Sequence, residues 1–143
     1  MALKQIDHGS KEYHEMLRLR RDILRKPLGL DLTDEDLEKD KHDILIGAFE
    51  EDKLLGCCQL TKIDEETLRL RQMAVPKEMQ GKGIGRVMIQ FAENLARDLR
   101  YKKMIMHARS NVTGFYEKQG YRICSDEFLE VTIPHYVMEK RLI

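Results

Sequence analysis

Gln80-Gly81-Lys82-Gly83-Ile84-Gly85 stands directly before a run in which Ile84, Val87, Met88, Phe91, Ala92, Leu95 and Leu99 recur at three- and four-residue steps. That spacing predicts an amphipathic helix over residues 83–100. A glycine-rich turn feeding a helix N-terminus offers unpaired N–H groups at the positive end of the helix dipole, a combination suited to phosphate. Spacing then decides among the phosphate-binding motifs. A dinucleotide fingerprint needs a third glycine at position 86, which is Arg86, and a P-loop needs Gly-Lys-Ser/Thr, which is absent.

The segment before the turn reads as a strand over residues 67–75. Leu68 and Leu70 share a face with Met73 and Val75 only if the alternation slips by one residue, so a bulge is expected near Arg71-Gln72. Bulges leave backbone groups unpaired and re-aim the chain, and they occur often beside active sites. A twist-relieving bulge with no ligand is the alternative.

Further out, residues 3–7 alternate as a short strand, and Ser10 caps a helix bearing Tyr13, Met16, Leu17, Leu19, Ile23 and Leu24 that Pro27 and Gly29 stop. Thr33 followed by three acids starts a second helix to about Lys41. Residues 44–49 and 54–60 form an antiparallel hairpin, Met104-Ile105-Met106 a strand, 112–119 a short helix, and 121–142 two strands separated near Pro134. The order predicts a single α/β (α+β) domain over residues 1–143, a mixed central sheet of about seven strands with helices on both faces. The unit around residues 83–106 is its parallel, right-handed crossover.

Charge narrows the partners. The 25 basic and 25 acidic side chains cancel, so no overall field favours nucleic acid or an anionic membrane. No stretch approaches the ~20 apolar residues of a membrane span, and the N-terminus lacks a signal-peptide core, which leads to a cytoplasmic expectation. Cys57, Cys58 and Cys124 form no C-x-x-C pair and have no histidine cluster beside them, so reduced thiols and no metal are expected.

Met73-Ala74-Val75-Pro76, the glycine turn and Phe115-Tyr116-Glu117-Lys118-Gln119-Gly120-Tyr121, in that order, resemble the GNAT superfamily of N-acetyltransferases. The specific match covers residues 68–121, and the element order extends it across nearly the whole chain. The resemblance implies acetyl-CoA as co-substrate, no metal, and a small-molecule or peptide amine as acceptor; it allows a homodimer. It implies that the backbone around Met73, Ala74 and Val75 receives the pantetheine arm, with the Met73 N–H facing the thioester oxygen. It further implies that Gln80, Gly81, Lys82, Gly83, Ile84, Gly85 and Arg86 hold the pyrophosphate. A fixed donor at a developing oxyanion is commonly worth about 3–4 kcal/mol of barrier.

Acyl transfer from a thioester to an amine needs a neutral amine and a proton for the leaving thiolate. By the resemblance, Tyr116 is the general acid and also borders the cofactor; in isolation it reads as a core ring with a bonded hydroxyl. Some family members carry a glutamate four residues before the oxyanion position, where this chain has Arg69. His135, after Ile133-Pro134, is a candidate base, since histidine changes charge near neutral pH. Glu130 serves instead or orients it, and an ordinary solvated role stays open for both. Asn111 lies two residues after the place, Arg109, where the family often has a cofactor-contacting asparagine; capping the short helix is its other reading. A non-catalytic acyl-CoA-binding or sensing domain is the rival to the enzyme. The basic run Arg18, Arg20, Arg21, Arg25 and Lys26 suggests an acidic acceptor or a solvated helix face.

Overall fold

Local capping chemistry sets the first elements of the computed structural model, which describes residues 1–143. After β1 (Ala2–Ile6), the Ser10 hydroxyl accepts from the Tyr13 amide at 3.1 Å and starts α1 (Lys11–Arg20). Thr33 and Asp36 form a reciprocal capping box at the head of α2 (Asp34–Asp40). Pro27 does not end the first helical segment as expected. A π-helical turn over Arg21–Arg25 and a 3-10 turn over Lys26–Leu28 carry the chain on to Gly29, which closes it in the left-handed region. Proline near the start of a new turn lacks only a donor that would be unpaired there anyway.

There follow β2 (Ile44–Glu50), β3 (Lys53–Lys62), β4 (Thr67–Ala74), α3 (Ile84–Asp98), β5 (Lys103–Arg109), α4 (Thr113–Lys118), β6 (Arg122–Ile123), β7 (Phe128–Glu130) and β8 (Ile133–Arg141). The sheet has eight strands where about seven were expected, in the order β1-β2-β3-β4-β5-β8-β6, with β7 also on β8. The extra strand arises because the segment before the expected break near Pro134 holds two strands, β6 and β7, with residues 124–127 between them; Pro134 itself lies inside β8. It is the second residue of β8, opposite Leu129 and beyond the last β5 partner, where a missing N–H costs the ladder nothing. The break expected near Pro134 is a two-residue turn, Val131-Thr132, with both φ positive at 47° and 65°.

The chain divides into two compact units, residues 1–61 with 72–92 and residues 62–71 with 93–143, and both β4 and α3 pass from one to the other. In the first, the β1-β2-β3 meander is antiparallel, and Ile6, Tyr13, Met16, Leu17, Leu45, Phe49, Leu54, Cys57 and Ala74 form its core. Beside that core lies a buried polar network. Asp40 accepts from the Tyr13 hydroxyl at 2.6 Å, Arg20 Nη1 at 2.8 Å and Gln59 Nε2 at 3.0 Å. Gln59 also donates to Asp43 at 2.7 Å, which takes the Thr61 hydroxyl at 2.8 Å. Arg20, Asp40 and Gln59 are sealed from solvent. Burial, reinforced by the bond to Asp40, raises the Tyr13 phenol well above its ordinary range.

In the second unit, β4 runs parallel to β5 over Thr67 to Leu70 and Lys103 to Met106, while β8 lies antiparallel to β5 on one side and to β6 and β7 on the other. Gly120, at φ 96°, leads into buried Tyr121, whose hydroxyl donates to buried Glu93 at 2.8 Å. Lys140 Nζ reaches the same carboxylate at 2.9 Å, and a side chain at Gly120 would meet Lys140 Cε at 3.2 Å. The Gly120-Tyr121 part of the sequence motif is thereby explained by packing.

Candidate active site

In the first unit, the site begins where β4 leaves regular geometry. Gln72 has φ 55°, a left-handed conformation that a side chain rarely adopts, and it falls where the bulge was expected. The alternation behind that expectation is corrected, because Leu68, Leu70 and Ala74 are buried at even spacing while Met73 and Val75 are half-buried. Gln72 is held from both ends. Its Oε1 accepts from Arg25 Nη2 at 3.3 Å, and its carbonyl faces Cys57 Sγ at 4.0 Å.

Beyond Val75 the chain makes a 3-10 turn over Lys77–Met79, and Gln80 Nε2 folds back onto the Val75 carbonyl at 3.0 Å. Gly81 and Gly83 then adopt φ 79° and 82°, values that demand glycine. The Val87 amide donates to the Gly83 carbonyl at 3.1 Å, so the amides of Ile84, Gly85 and Arg86 lie in the first turn without intrahelical acceptors. A side chain added at Gly81 would meet nothing within 4 Å, and one at Gly83 only Arg86 Nη2 at 3.8 Å. The turn is open in front and fixed behind. Opposite it, a side chain at Gly56 would meet Ile84 and Met88 at 3.0 Å, so that glycine permits the helix to seat closely on β3.

In the second unit, Tyr116 is half-buried on α4, its ring 5.1 Å from Phe115 and 6.2 Å from Tyr121. Asn111 is exposed in a 3-10 turn over Ser110–Val112. It does not cap α4, whose N-cap is Val112 with no side-chain bond.

Glu130 and His135, separated by the β7–β8 turn, come together across it. Glu130 Oε2 lies 3.6 Å from His135 Nε2, and His135 Nδ1 donates to the Ile133 carbonyl at 2.7 Å. The sequence reading missed His107, whose Nδ1 is 2.9 Å from Glu130 Oε1 and 2.9 Å from Arg69 Nη2. Phe128 packs edge-on to the His107 ring at 5.2 Å and stacks on His135 at 6.0 Å. Burial pushes the Glu130 carboxyl up, but the His107 hydrogen bond and the charges of His107, Arg69 and His135 outweigh it and hold the carboxyl below its ordinary value. The signal for His107 was present: continuing the alternation of Met104 and Met106 to Ala108 lengthens the strand and places His107 on the opposite face.

The basic run near α1 is largely neutralised by its neighbours. Arg20 pairs with Asp40, Arg21 with Asp31, Arg25 with Asp36, and Lys26 with Asp22. No helix is long and apolar enough to cross a membrane, and no group of three or more His, Cys, Asp or Glu side chains is arranged to hold a metal ion.

A mixed sheet with a glycine turn opening its crossover helix defines an acyl-CoA N-acyltransferase fold, and the family model described as acetyltransferase (GNAT) domain matches residues 26–142. The chain belongs to that family and is an N-acetyltransferase. The Bacillus subtilis protein YyaT is 26% identical over 147 residues, covering 99% of this chain and 97% of its own. An aminoglycoside 6'-N-acetyltransferase solved with coenzyme A superposes with a TM-score of 0.82 at 16% identity, over 100% of this chain and 98% of that one. A GNAT acetyltransferase from Elizabethkingia anophelis with acetyl-CoA bound gives 0.74 at 20% identity, over 98% and 97%. At such identities these two structures carry the likeness of fold alone.

Proposed function

We propose that the chain moves the acetyl group of acetyl-CoA to a primary amine of a small molecule or peptide by direct attack on the thioester. The observation that carries this is the pair of left-handed glycines, Gly81 and Gly83, opening a 15-residue helix with free space where their side chains would stand. First-turn amides and the helix dipole favour a pyrophosphate there, and residues 80–86 would receive it. The backbone of Met73, Ala74 and Val75 would take the pantetheine arm, the Met73 N–H meeting the thioester oxygen. Tyr116 donates a proton to the departing thiolate, and the amine's proton leaves through the cluster containing Glu130 and His135. Fold neighbours that hold coenzyme A or acetyl-CoA support this reading, and neighbours named for aminoglycosides support an amine acceptor. Pairing of the basic residues near α1 with carboxylates gives an anionic acceptor little to bind.

Calorimetry with acetyl-CoA and CoA, against ATP and NAD as controls, tests the cradle; a screen of primary amines for thiol release from acetyl-CoA tests the transfer. Binding of ATP or NAD in preference to both CoA compounds overturns the cradle assignment. CoA binding without thiol release from any amine favours the sensing domain instead.

A further inference from the structure

Within the Glu130 cluster we infer that His107 is the general base, and that Glu130 is the positioning residue that makes it one; the inference rests on the acetyl-transfer reading above. The two histidines differ in which ring nitrogen is bare. In His135 the Nδ1 hydrogen is committed to the Ile133 carbonyl, so in the neutral ring the lone pair is on Nε2, which faces Glu130 and sits on a side chain only 7% exposed. That nitrogen is sealed. His107 has the opposite arrangement, because its Nδ1 is the contacted atom and its Nε2 has no partner in the chain, on a side chain 23% exposed.

Two groups compete for Nδ1 of His107. Arg69 Nη2 can only donate to it, which needs a bare Nδ1 and places the ring hydrogen on Nε2; Glu130 Oε1, held as a carboxylate, can only accept, which needs Nδ1–H and leaves Nε2 bare. Only the second arrangement leaves a base at the unpartnered nitrogen. It is also the arrangement in which Arg69 loses less, since its Nη2 lies 3.6 Å from the same Glu130 oxygen and stays ion-paired to it. The charged and titratable groups facing the His107 ring are therefore Arg69 from β4, with Arg71 acting on Arg69, Glu130 from β7, and His135 from β8 behind Glu130. A guanidinium beside Nδ1 also disfavours any metal cation there.

The step balances without further reagents. An N–H bond of the acceptor's ammonium breaks, its proton goes to His107 Nε2, and the freed lone pair forms the C–N bond. The C–S bond breaks, its electrons leave as CoA thiolate, and Tyr116 protonates that thiolate; a second N–H bond of the newly acylated nitrogen then breaks, and its proton restores the Tyr116 hydroxyl and leaves the neutral amide. Glu130 stabilises the imidazolium through Nδ1–H.

The test has an arm independent of turnover. Nitrogen-15 imidazole spectra of the wild-type protein should report Nδ1–H with bare Nε2 for neutral His107. Glu130→Gln should move the hydrogen to Nε2 as Arg69 claims Nδ1. A wild-type ring already carrying its hydrogen on Nε2, or a tautomer that ignores Glu130→Gln, overturns the inference. With acetyl-CoA and kanamycin, spermidine or a lysyl peptide as probe amines, His107→Gln should lower kcat/KM by about 10²–10⁴-fold and abolish the acidic limb of the pH profile, with CoA affinity unchanged. Retention of that limb in His107→Gln together with its loss in His135→Gln also overturns it. Wild-type protein that releases no thiol with any probe amine instead overturns the acetyl-transfer reading and this role with it.

Discussion

Replacing Asp40 with Asn removes one charge from the part of the polar network that is sealed from solvent. Asp40 accepts from Tyr13, Arg20 and Gln59, and Arg20 Nε and Nη2 have no partner, so the Nη1 bond to Asp40 is what compensates a fully buried guanidinium. Asn keeps one acceptor oxygen for Gln59 but presents an NH₂ group to two donors, Tyr13 and Arg20. Breaking a buried ion pair by removing one partner costs about 3–5 kcal/mol, because the remaining charge stays buried. For a domain of this size each kcal/mol moves the melting point by about 2–4 °C, which gives a fall of roughly 6–20 °C for Asp40→Asn. Thermal and urea unfolding followed by circular dichroism measure it. The cycle with Arg20→Met isolates the pair, since the double variant buries no lone charge and should recover much of the loss. A melting point within about 2 °C of wild type for Asp40→Asn, or single losses that add to within about 0.5 kcal/mol in the double variant, would refute the reasoning.

The other expectations concern chemistry. Gly83→Val forces a branched side chain into φ 82° and into the open space before α3, so CoA affinity measured by calorimetry should fall much further than the modest loss of stability; unchanged affinity with a native spectrum sinks the cradle. Tyr116→Phe keeps the ring and its contacts with Phe115 and Tyr121 but loses the hydroxyl. Turnover should drop about 10²–10⁴-fold and the alkaline limb of the profile should weaken, whereas full turnover with an unaltered profile makes Tyr116 a packing residue only. Burial pushes the Cys57 thiol up to about 12 and raises Cys58 above the usual thiol range. Both stay protonated at pH 8, so iodoacetamide on the native protein should alkylate exposed Cys124 alone by mass spectrometry, with all three modified after denaturation.

What could be read from the sequence was what local chemistry governs. The glycine turn was legible because only glycine takes φ near 80° and because the apolar steps after it announce a helix start. Ser10 and Thr33 were legible as caps for the same local reason. The β7–β8 break was legible only through Pro134 close by, and the residues that make the turn were not, because Val131 and Thr132 are β-branched residues in a conformation their type disfavours. The buried pair of Arg20 and Asp40 was hidden for another reason. Charges separated by 20 residues on two helices read as solvated faces until the tertiary fold places them together. His107 was lost when the strand was ended at Met106 instead of Arg109. Glu130 and His135 could be singled out individually, but their meeting with His107 depends on strand pairings that no local pattern encodes.

The position of β8 between β5 and β7 has a bearing on how this chemistry can evolve. His107 is opposite Val137 on one edge of β8, and Glu130 is opposite Ile133 on the other, so one strand serves as the ruler for both groups. Cys124 and Ser125 are tied to Val137 of β8, but the stretch after them, Asp126-Glu127, can lengthen without changing the phase of either partner. The two residues at Val131-Thr132 have no such freedom. Insertion or deletion of a single residue there would shift β7 by one step against β8, and because faces alternate with period two, Glu130 would be exchanged for a neighbour of opposite parity. Lineages of this chain should therefore vary in loop length before β7 and keep the count of the turn after it, even where the residues in that turn change.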